Sequence, residues 1–280
     1  MNKRFFKLSA IFATAALGMA LILAGCDGGS SPRPPPPPGP PPAPTPPDRL
    51  PPPPVPSPDA RMVALTFDDG PDITATDVTN RILDVLEEHG GRATFFVQGY
   101  RVIPGAATVI RTLELGSEIA GHSWDHPDLS ELSEELVRSQ LQRTRDAMGL
   151  FFDRFGLHPP LPFFRPPFGA INQTVLDVSK DMGYSLIGWN MDTNDWLPAN
   201  QNPAFLYNFI MERVEPGSVI LMHDIWPTTA DAMELVIPSL IEQGFELVTV
   251  TEMLYHGGYL APGMVFGTLF YPPGTNVPRP

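Results

Sequence analysis

Two adjacent carboxylates and a pair of histidines are the first residues in this sequence that could do chemistry. Asp68 and Asp69 end the apolar stretch in ALTFDDGPD, and His122 and His126 lie four residues apart in HSWDH. Neighbouring carboxylates repel each other unless a cation or a hydrogen-bond donor compensates their charge. On a helical turn the two imidazoles could face one cation, and with Asp69 they would offer two nitrogens and one oxygen. That ligand set is typical of a catalytic metal site with open positions.

The ligand types alone leave the reaction open. Two histidines and one carboxylate also suit an Fe(II) oxygenase, and Asp-Gly by itself is an ordinary turn at the end of a strand. HSWDH lacks the glutamate of the His-Glu-x-x-His motif, which argues against that class of zinc protease.

Other chemically capable side chains also follow apolar, strand-like stretches. Arg165 follows PFF, Asp192 and Asp195 lie in NMDTNDW after SLIGW, and His223 follows VILM. The carboxyl ends of parallel strands lie at one edge of a sheet, where the active sites of such folds are found. We therefore expect these residues to gather around the aspartate and histidine pairs.

The elements that must position these residues alternate between strand-like and helix-like patterns, which indicates a parallel sheet in an α/β fold. We predict strands at 62–67, ATFFVQG, 118–120, PFFR, YSLIGWN, SVILMH and FELVTV. We predict helices at 76–89, 106–115, 132–152, 172–182, 203–213 and 230–243. About seven strands of this kind favour a distorted (β/α) barrel, although the pattern alone does not separate a barrel from an open sheet.

The amino terminus has the pattern of a secretory leader. A short positively charged segment precedes an apolar stretch from Leu8 to Leu23. The leader ends in LILAGC, which resembles a bacterial lipoprotein box, and Cys26 is the single cysteine of the chain. We expect residues 1–25 to be a signal peptide and Cys26 to be lipidated. The alternative is an ordinary leader with an incidental cysteine.

A proline-rich tract at residues 26–60 holds half of the chain's 36 prolines. It has too few apolar side chains to build a core, so we expect a disordered linker between the anchor and a catalytic domain at 61–256. Residues 257–280 match no pattern and are expected to form a loop-rich tail. The formal net charge of −13 and the lack of a basic patch argue against a nucleic-acid partner.

Five motifs of this sequence follow the order of those in the polysaccharide deacetylases, the NodB-like carbohydrate esterase family. They are TFDDG, HSWDH, RPPFG, DTNDW and LMH, and the resemblance spans Arg61 to Tyr255. Ser123 stands where threonine is frequent in the family, and Phe168 stands where tyrosine is. The resemblance implies a distorted (β/α) barrel. It also implies metal-assisted removal of acetyl groups from N-acetylated sugars or, in some members, from acetylated xylan.

The resemblance also implies a role for each central residue of these motifs. Asp69, His122 and His126 would hold a divalent metal, usually zinc and sometimes cobalt or nickel. Asp68 would be the general base that takes a proton from the attacking water. His223 would protonate the leaving sugar amine.

A supporting shell and a substrate surface are implied in the same way. Arg165 would pair with the base, and Asp195 would hydrogen-bond the acid. The backbone N–H of Phe168 would help to stabilise the oxyanion, whereas Asp192 would only cap a turn. The side chains expected to contact substrate are Trp196 and Leu221, at the acetyl methyl, and Trp124 and Trp226, on sugar rings. Ordinary packing is the alternative for all four.

The leading hypothesis is a lipid-anchored, metal-dependent deacetylase of N-acetylglucosamine polymers, acting as a monomer in the bacterial cell envelope. Peptidoglycan is the favoured substrate because a tethered domain could reach the cell wall, and chitin oligomers or an exopolysaccharide come next. The alternatives are an acetylxylan esterase of the same family, a carbohydrate-binding pseudoenzyme and an Fe(II) oxygenase. A pseudoenzyme is disfavoured because it would not need His223 and Asp68 together. An Fe(II) oxygenase is disfavoured because the metal ligands of such enzymes usually come from a small β-barrel.

Overall fold

The computed structural model describes residues 60–156, 163–256 and 265–266 of the chain. The predicted signal peptide, the predicted lipidation site Cys26 and nearly all of the proline-rich linker lie outside the described residues. The predicted tail also lies outside them, except for a two-residue strand. Among the described residues, no helix is both long enough and apolar enough to cross a membrane.

Nine strands form one sheet in the part of the chain that the structure describes, and their pairings are parallel. The strands are β1 (Arg61–Asp68), β2 (Thr94–Val97), β3 (Glu118–Gly121), β4 (Phe163–Phe164), β5 (Ser185–Ile187), β6 (Met191–Asp192), β7 (Val219–His223), β8 (Phe245–Leu247) and β9 (Val265–Phe266). Their β-branched and aromatic residues favour strands. All seven predicted strands are present. The two additional ones, β6 and β9, have two residues each, which is too short for a sequence pattern to reveal.

The strand order brings the residues of interest to one edge of the sheet. The order is β6-β7-β1-β2-β3-β4-β5-β9, and β8 pairs with the first half of β1. Because β1 pairs with β8 along its first half and with β7 along its second, the sheet branches at this strand. In the register of the central strands, Asp68 lies opposite both Phe96 of β2 and His223 of β7.

Eight helices connect the strands within the described residues. They are α1 (Val78–His89), α2 (Gly99–Val102), α3 (Ala106–Glu114), α4 (Glu134–Phe155), α5 (Gln173–Asp181), α6 (Pro203–Met211), α7 (Pro227–Glu242) and α8 (Val250–His256). Local capping accounts for several ends: Ser133 accepts a hydrogen bond from the N–H of Leu136 at the start of α4, and Gly90 ends α1 in the left-handed conformation.

All six predicted helices are present, and two short ones were not predicted. Helix α7 begins at Pro227, three residues before its predicted start, because proline suits the first turn of a helix. Helices α2 and α8 have four and seven residues, too few to show a helical period.

Two apolar layers cover the two faces of the sheet. Alternate side chains of β1 enter different layers: Ala64 lies in the inner layer, whereas Val63 and Leu65 pack against the helices outside. The inner layer takes residues from six strands and from α8, including Phe96, Ala120, Phe163, Ile187, Val219, Leu221 and Leu254. A parallel sheet curled around its own core, with helices outside, confirms the predicted distorted α/β barrel.

Candidate active site

The two adjacent aspartates turn away from each other at the end of β1. Asp68 is the last residue of the strand, and Asp69 follows with a φ of 78°. Asp68 Oδ1 accepts a hydrogen bond of 2.8 Å from Arg165, whereas Asp69 Oδ1 accepts one of 2.7 Å from the side-chain amide of Gln98. Both carboxylates are buried. The repulsion expected between them is therefore compensated by separate partners.

Arg165 is completely buried and is held from several sides. Its Nη1 donates to Thr66 Oγ1 at 2.9 Å as well as to Asp68, while Nε and Nη2 donate to the backbone oxygens of Ile187 and Gly188. The guanidinium also lies 4.0 Å from the ring centre of Phe96. Because arginine keeps its charge, this side chain places a fixed cation beside Asp68.

Asp69, His122 and His126 form the group that could hold a metal. One ligand atom from each lies within 4.8 Å of the others. Asp69 Oδ1 is 3.6 Å from His122 Nε2 and 3.4 Å from His126 Nε2. Tetrahedral zinc with ligand distances of about 2.0–2.2 Å would separate its donor atoms by roughly 3.3–3.6 Å. The three side chains therefore fit a divalent cation.

The two histidines lie on a loop, not on the helical turn that their four-residue spacing would also allow. Ser123 and His126 have φ values of 63° and 65°, and Ser123 Oγ accepts a hydrogen bond from the N–H of His126. Gln140 of α4 accepts another from the N–H of Trp124 at 2.7 Å. These bonds stabilise a tight loop that brings both imidazoles together, with ring centres 5.0 Å apart.

The hydrogen bond of His122 fixes which of its ring nitrogens faces the candidate metal site. His122 Nδ1 lies 2.7 Å from the backbone oxygen of Arg165, which can only accept, so Nδ1 carries a proton and Nε2 is the nitrogen that could bind a cation. Burial lowers the pKa of His126 to about 4, against the opposing charge of Asp69. Burial would raise the pKa of Asp69, but the nearby histidines, His223 foremost, and the hydrogen bond from Gln98 outweigh burial and hold the pKa below its usual value. A neutral imidazole and an ionised carboxylate are both competent ligands.

His223 and Asp195 form a second ionisable pair beside the first. His223 Nδ1 lies 2.6 Å from Asp195 Oδ1, and the backbone N–H of His223 donates to Oδ2 at 2.8 Å. Thr229 also donates to Oδ2, so the buried Asp195 is held in one orientation. Burial lowers the pKa of His223, but Asp195 outweighs it and raises the pKa to about 10. His223 is therefore a protonated imidazole at neutral pH.

Phe168 lies next to the histidine loop. The residue has a φ of 60° in the short 3-10 turn Pro167–Gly169, and its ring packs edge-on against His126 with 4.5 Å between ring centres. The role predicted for its backbone N–H remains a prediction. Asp192 Oδ1 accepts a hydrogen bond from the N–H of Asn194, as expected of a residue that caps a turn.

The four predicted substrate contacts lie in different surroundings. Leu221 is buried in the inner layer, and Trp196 is half-buried one residue after Asp195. Trp226 is also half-buried and precedes α7. Arg143 lies 4.1 Å from the ring centre of Trp124, so part of that ring is already covered by packing. All four substrate contacts remain predictions, and for Trp124 the packing alternative has direct support.

Gln98, Thr66 and Thr229 are site residues for which no role was predicted, although Thr66 is the first residue of the TFDDG motif. Each hydrogen-bonds a predicted residue: Gln98 bonds Asp69, Thr66 bonds Arg165, and Thr229 bonds Asp195. Gln98 directly follows β2. It could therefore have been found in the same way as the other site residues, as a polar residue that follows an apolar, strand-like stretch. Thr229 has no such signal because it lies inside a helix, and the only signal for Thr66 is its place in the TFDDG motif.

The chain resembles known proteins in both its sequence and its structure. The family model for polysaccharide deacetylases matches residues 56–187. The peptidoglycan-N-acetylglucosamine deacetylase PgdA of Listeria monocytogenes is 38% identical over 193 residues, which are 69% of this chain and 39% of the relative. A peptidoglycan-N-acetylglucosamine deacetylase of Bacillus cereus is 34% identical over 69% of this chain and 88% of its own length.

A solved structure agrees with the sequence matches. Peptidoglycan deacetylase PdaC from Bacillus subtilis has a TM-score of 0.65 and 37% identity, covering 72% of this chain and 94% of that structure. The chain spans about two fifths of the length of the Listeria relative, but most of the B. cereus relative and of the PdaC structure. With its five motifs gathered at one edge of the barrel, the chain belongs to the polysaccharide deacetylase family.

Proposed function

We propose that this protein removes acetyl groups from an N-acetylglucosamine-containing polysaccharide by metal-dependent hydrolysis. The different partners of the two adjacent aspartates carry the proposal. Asp69 faces the two histidines, whereas Asp68 bonds Arg165 with one oxygen and has the other 3.7 Å from His122 Nε2. A carboxylate that lies beside a metal site without belonging to its ligand group suits a general base.

Zinc is the metal that we propose for Asp69, His122 and His126, with cobalt and nickel as alternatives. Two imidazoles and one carboxylate are a zinc ligand set that leaves a position open for water or substrate. When bound, the metal supplies Lewis acidity, which lowers the pKa of water and polarises a carbonyl oxygen.

The side chains of the protein would move the protons. Asp68 accepts the proton of the attacking water, and Arg165 keeps the carboxylate oriented. His223 donates a proton to the nitrogen of the leaving sugar amine, and Asp195 keeps the imidazole protonated and oriented. A carbohydrate-binding pseudoenzyme is the weaker hypothesis, because a protein that only binds sugar would not need these four residues together.

The substrate surface is proposed from the apolar and aromatic residues around these groups. Leu221 and Trp196 would enclose the acetyl methyl group, and the N–H of Phe168 would donate to the developing oxyanion. Trp226 would stack on a sugar ring. Trp124 is the weaker candidate for stacking because Arg143 already lies over its ring.

Peptidoglycan is the polymer that we propose, since the named relatives from Listeria and B. cereus act on it. Chitin oligomers, an exopolysaccharide and acetylated xylan are the alternatives. We expect acetate release to be fastest from peptidoglycan when the zinc-loaded protein is given equal acetyl equivalents of peptidoglycan, chitin oligomers and acetylxylan. The Asp68→Asn variant provides the blank.

Each other outcome of that assay has a definite meaning. Faster release from acetylxylan would make the protein an esterase, and faster release from chitin oligomers would replace peptidoglycan as the substrate. No release above the blank from any polymer would favour the binding pseudoenzyme.

The pKa of His223 predicts the alkaline side of the pH–rate profile. An acid works only while it is protonated, so kcat/KM should hold below the pKa of His223 and fall as the pH rises through it. The Asp195→Asn variant removes the charge that raises this pKa to about 10. We expect its alkaline limb to move to lower pH, and an unchanged limb would show that His223 is not the acid.

The leader sequence supports a second proposal, which concerns location. We infer that Cys26 is lipidated and that the proline-rich linker holds the catalytic domain outside the cytoplasm, in the cell envelope. Labelled palmitate should enter the wild-type protein in bacteria and should not enter the Cys26→Ser variant. Equal labelling of the two proteins would contradict the anchor.

A further inference from the structure

Asp224 is a buried carboxyl group that the proposed chemistry does not use. It directly follows His223, has no exposed surface, and has no hydrogen-bond partner for Oδ1 among the described residues. Burial raises its pKa to about 7, although a hydrogen bond from Thr79 opposes this. An ionisable group with an unpaired buried oxygen destabilises a fold, so its presence calls for a compensating role.

Asp224 contacts both ends of the turn that carries the two central aspartates. Its backbone N–H donates to the backbone oxygen of Asp68 at 3.3 Å. Its Oδ2 accepts a hydrogen bond of 2.6 Å from Thr79 Oγ1, and the same hydroxyl accepts one of 2.7 Å from the N–H of Asp72. Asp224 is therefore linked to the first residue of the segment 68–72 by its backbone, and to the last residue by its carboxyl group through Thr79.

Gly70, in the middle of the turn, lies directly against the same carboxyl group. A methyl group at Gly70 would overlap both carboxyl oxygens of Asp224. Gly70 does not have the positive φ that would by itself demand glycine. The space taken by the buried Asp224 side chain therefore explains why a glycine stands at this position.

The turn needs support because its conformation is strained. Asp69 has a φ of 78°, which is unfavourable for a residue with a side chain and persists only when the surroundings enforce it. Gln98 supports the turn from the β2 side, where its N–H donates to the backbone oxygen of Gly70 at 3.0 Å. Asp224 supports it from the β7 side.

We propose that Asp224 is a positioning residue that braces the segment 68–72, so that Asp69 faces His122 and His126. The brace also links this segment to the strand that carries His223. The inference rests on the proposed metal site, because its consequence is the affinity of that site for a cation. Groups that orient metal ligands typically change the affinity by about 10- to 100-fold when they are lost.

The test measures metal affinity and folding separately in the full chain. The dissociation constant for Co²⁺ is measured by competition with a chromophoric chelator, and thermal unfolding is followed without metal. We expect Asp224→Ala to weaken Co²⁺ binding by about 10- to 100-fold. The isosteric Asp224→Asn, which can still accept from Thr79, should regain most of the affinity. Ser179→Ala removes another buried, unpaired oxygen on α5 and should leave Co²⁺ binding unchanged.

A second pair of variants tests the contact itself. Gly70→Ala should weaken Co²⁺ binding in the wild-type chain but change it much less in the Asp224→Ala chain, where the added methyl group has room. Should Asp224→Ala not fold, Gly70→Ala alone decides, since its methyl group can be accommodated only by moving the turn or the Asp224 carboxyl group that braces it.

Two results would overturn the inference. The first is a folded Asp224→Ala or Gly70→Ala variant with wild-type affinity, and the second is additivity of the two substitutions. If the wild-type chain itself bound no Co²⁺ or Zn²⁺, the proposed function would fail together with this inference. A failure confined to the variants therefore concerns Asp224 alone.

Discussion

Replacing Asp68 by asparagine is expected to slow acetate release by about two to four orders of magnitude while leaving metal binding nearly unchanged. The amide has the shape of the carboxylate, and its oxygen can still accept the hydrogen bond from Arg165, but it cannot take a proton from water. Asp68 lies outside the group of residues that could hold the cation. Acetate release at saturating Zn²⁺ and the bound metal per chain are the two quantities to measure.

The same substitution one residue later provides the matched control. Asp69→Asn removes the charged oxygen that lies between His122 and His126, so it should weaken metal binding and should lose activity for that reason. If Asp68→Asn worked at a near-normal rate, Asp68 would not be the base. Equal loss of metal in both variants would show that the two aspartates do not have separate roles.

The parallel sheet and the gathering of the motif residues could be predicted from the strand pattern, and the barrel from the family resemblance. Each strand is a short apolar run, and the residue just after it, or at its end, is polar: Asp69, His122, Arg165 and His223 follow this rule. Because the strands are parallel, such residues must meet at one edge of the sheet. The order of five motifs then indicated the family.

The local conformations at the site could not be predicted. Asp69, His126 and Phe168 all have positive φ values, which are unusual for residues with side chains. These conformations depend on contacts with residues distant in sequence, such as the bond from Gln98 to Asp69 and the bond from Gln140 to Trp124. The four-residue spacing in HSWDH is compatible with a helical turn, and these long-range bonds stabilise a loop in its place.

Arg165 has one contact that could be predicted from the sequence and several that could not. Its link to Asp68 follows from the family resemblance. Its other partners, Thr66 and two backbone oxygens after β5, depend on how the strands curl around it. No sequence pattern shows that an arginine will be completely buried. The tertiary structure alone explains why its charge can be kept there.

Complete removal of metal should abolish the activity of the protein and leave its fold in place. Without a cation, no Lewis acid is present to activate water, whereas the barrel core is made of apolar layers that do not involve Asp69, His122 or His126. Circular dichroism before and after chelation separates loss of activity from loss of structure. Returning Zn²⁺ or Co²⁺ should restore the rate in proportion to the metal bound.

The most direct test of the proposed function is acetate release from N-acetylated peptidoglycan by one preparation in three states: as purified, chelated and dialysed, and reloaded with Zn²⁺. We expect activity, no activity and recovered activity, with the same circular dichroism spectrum throughout. Undiminished acetate release from a chelated sample whose metal content has fallen to zero would contradict it.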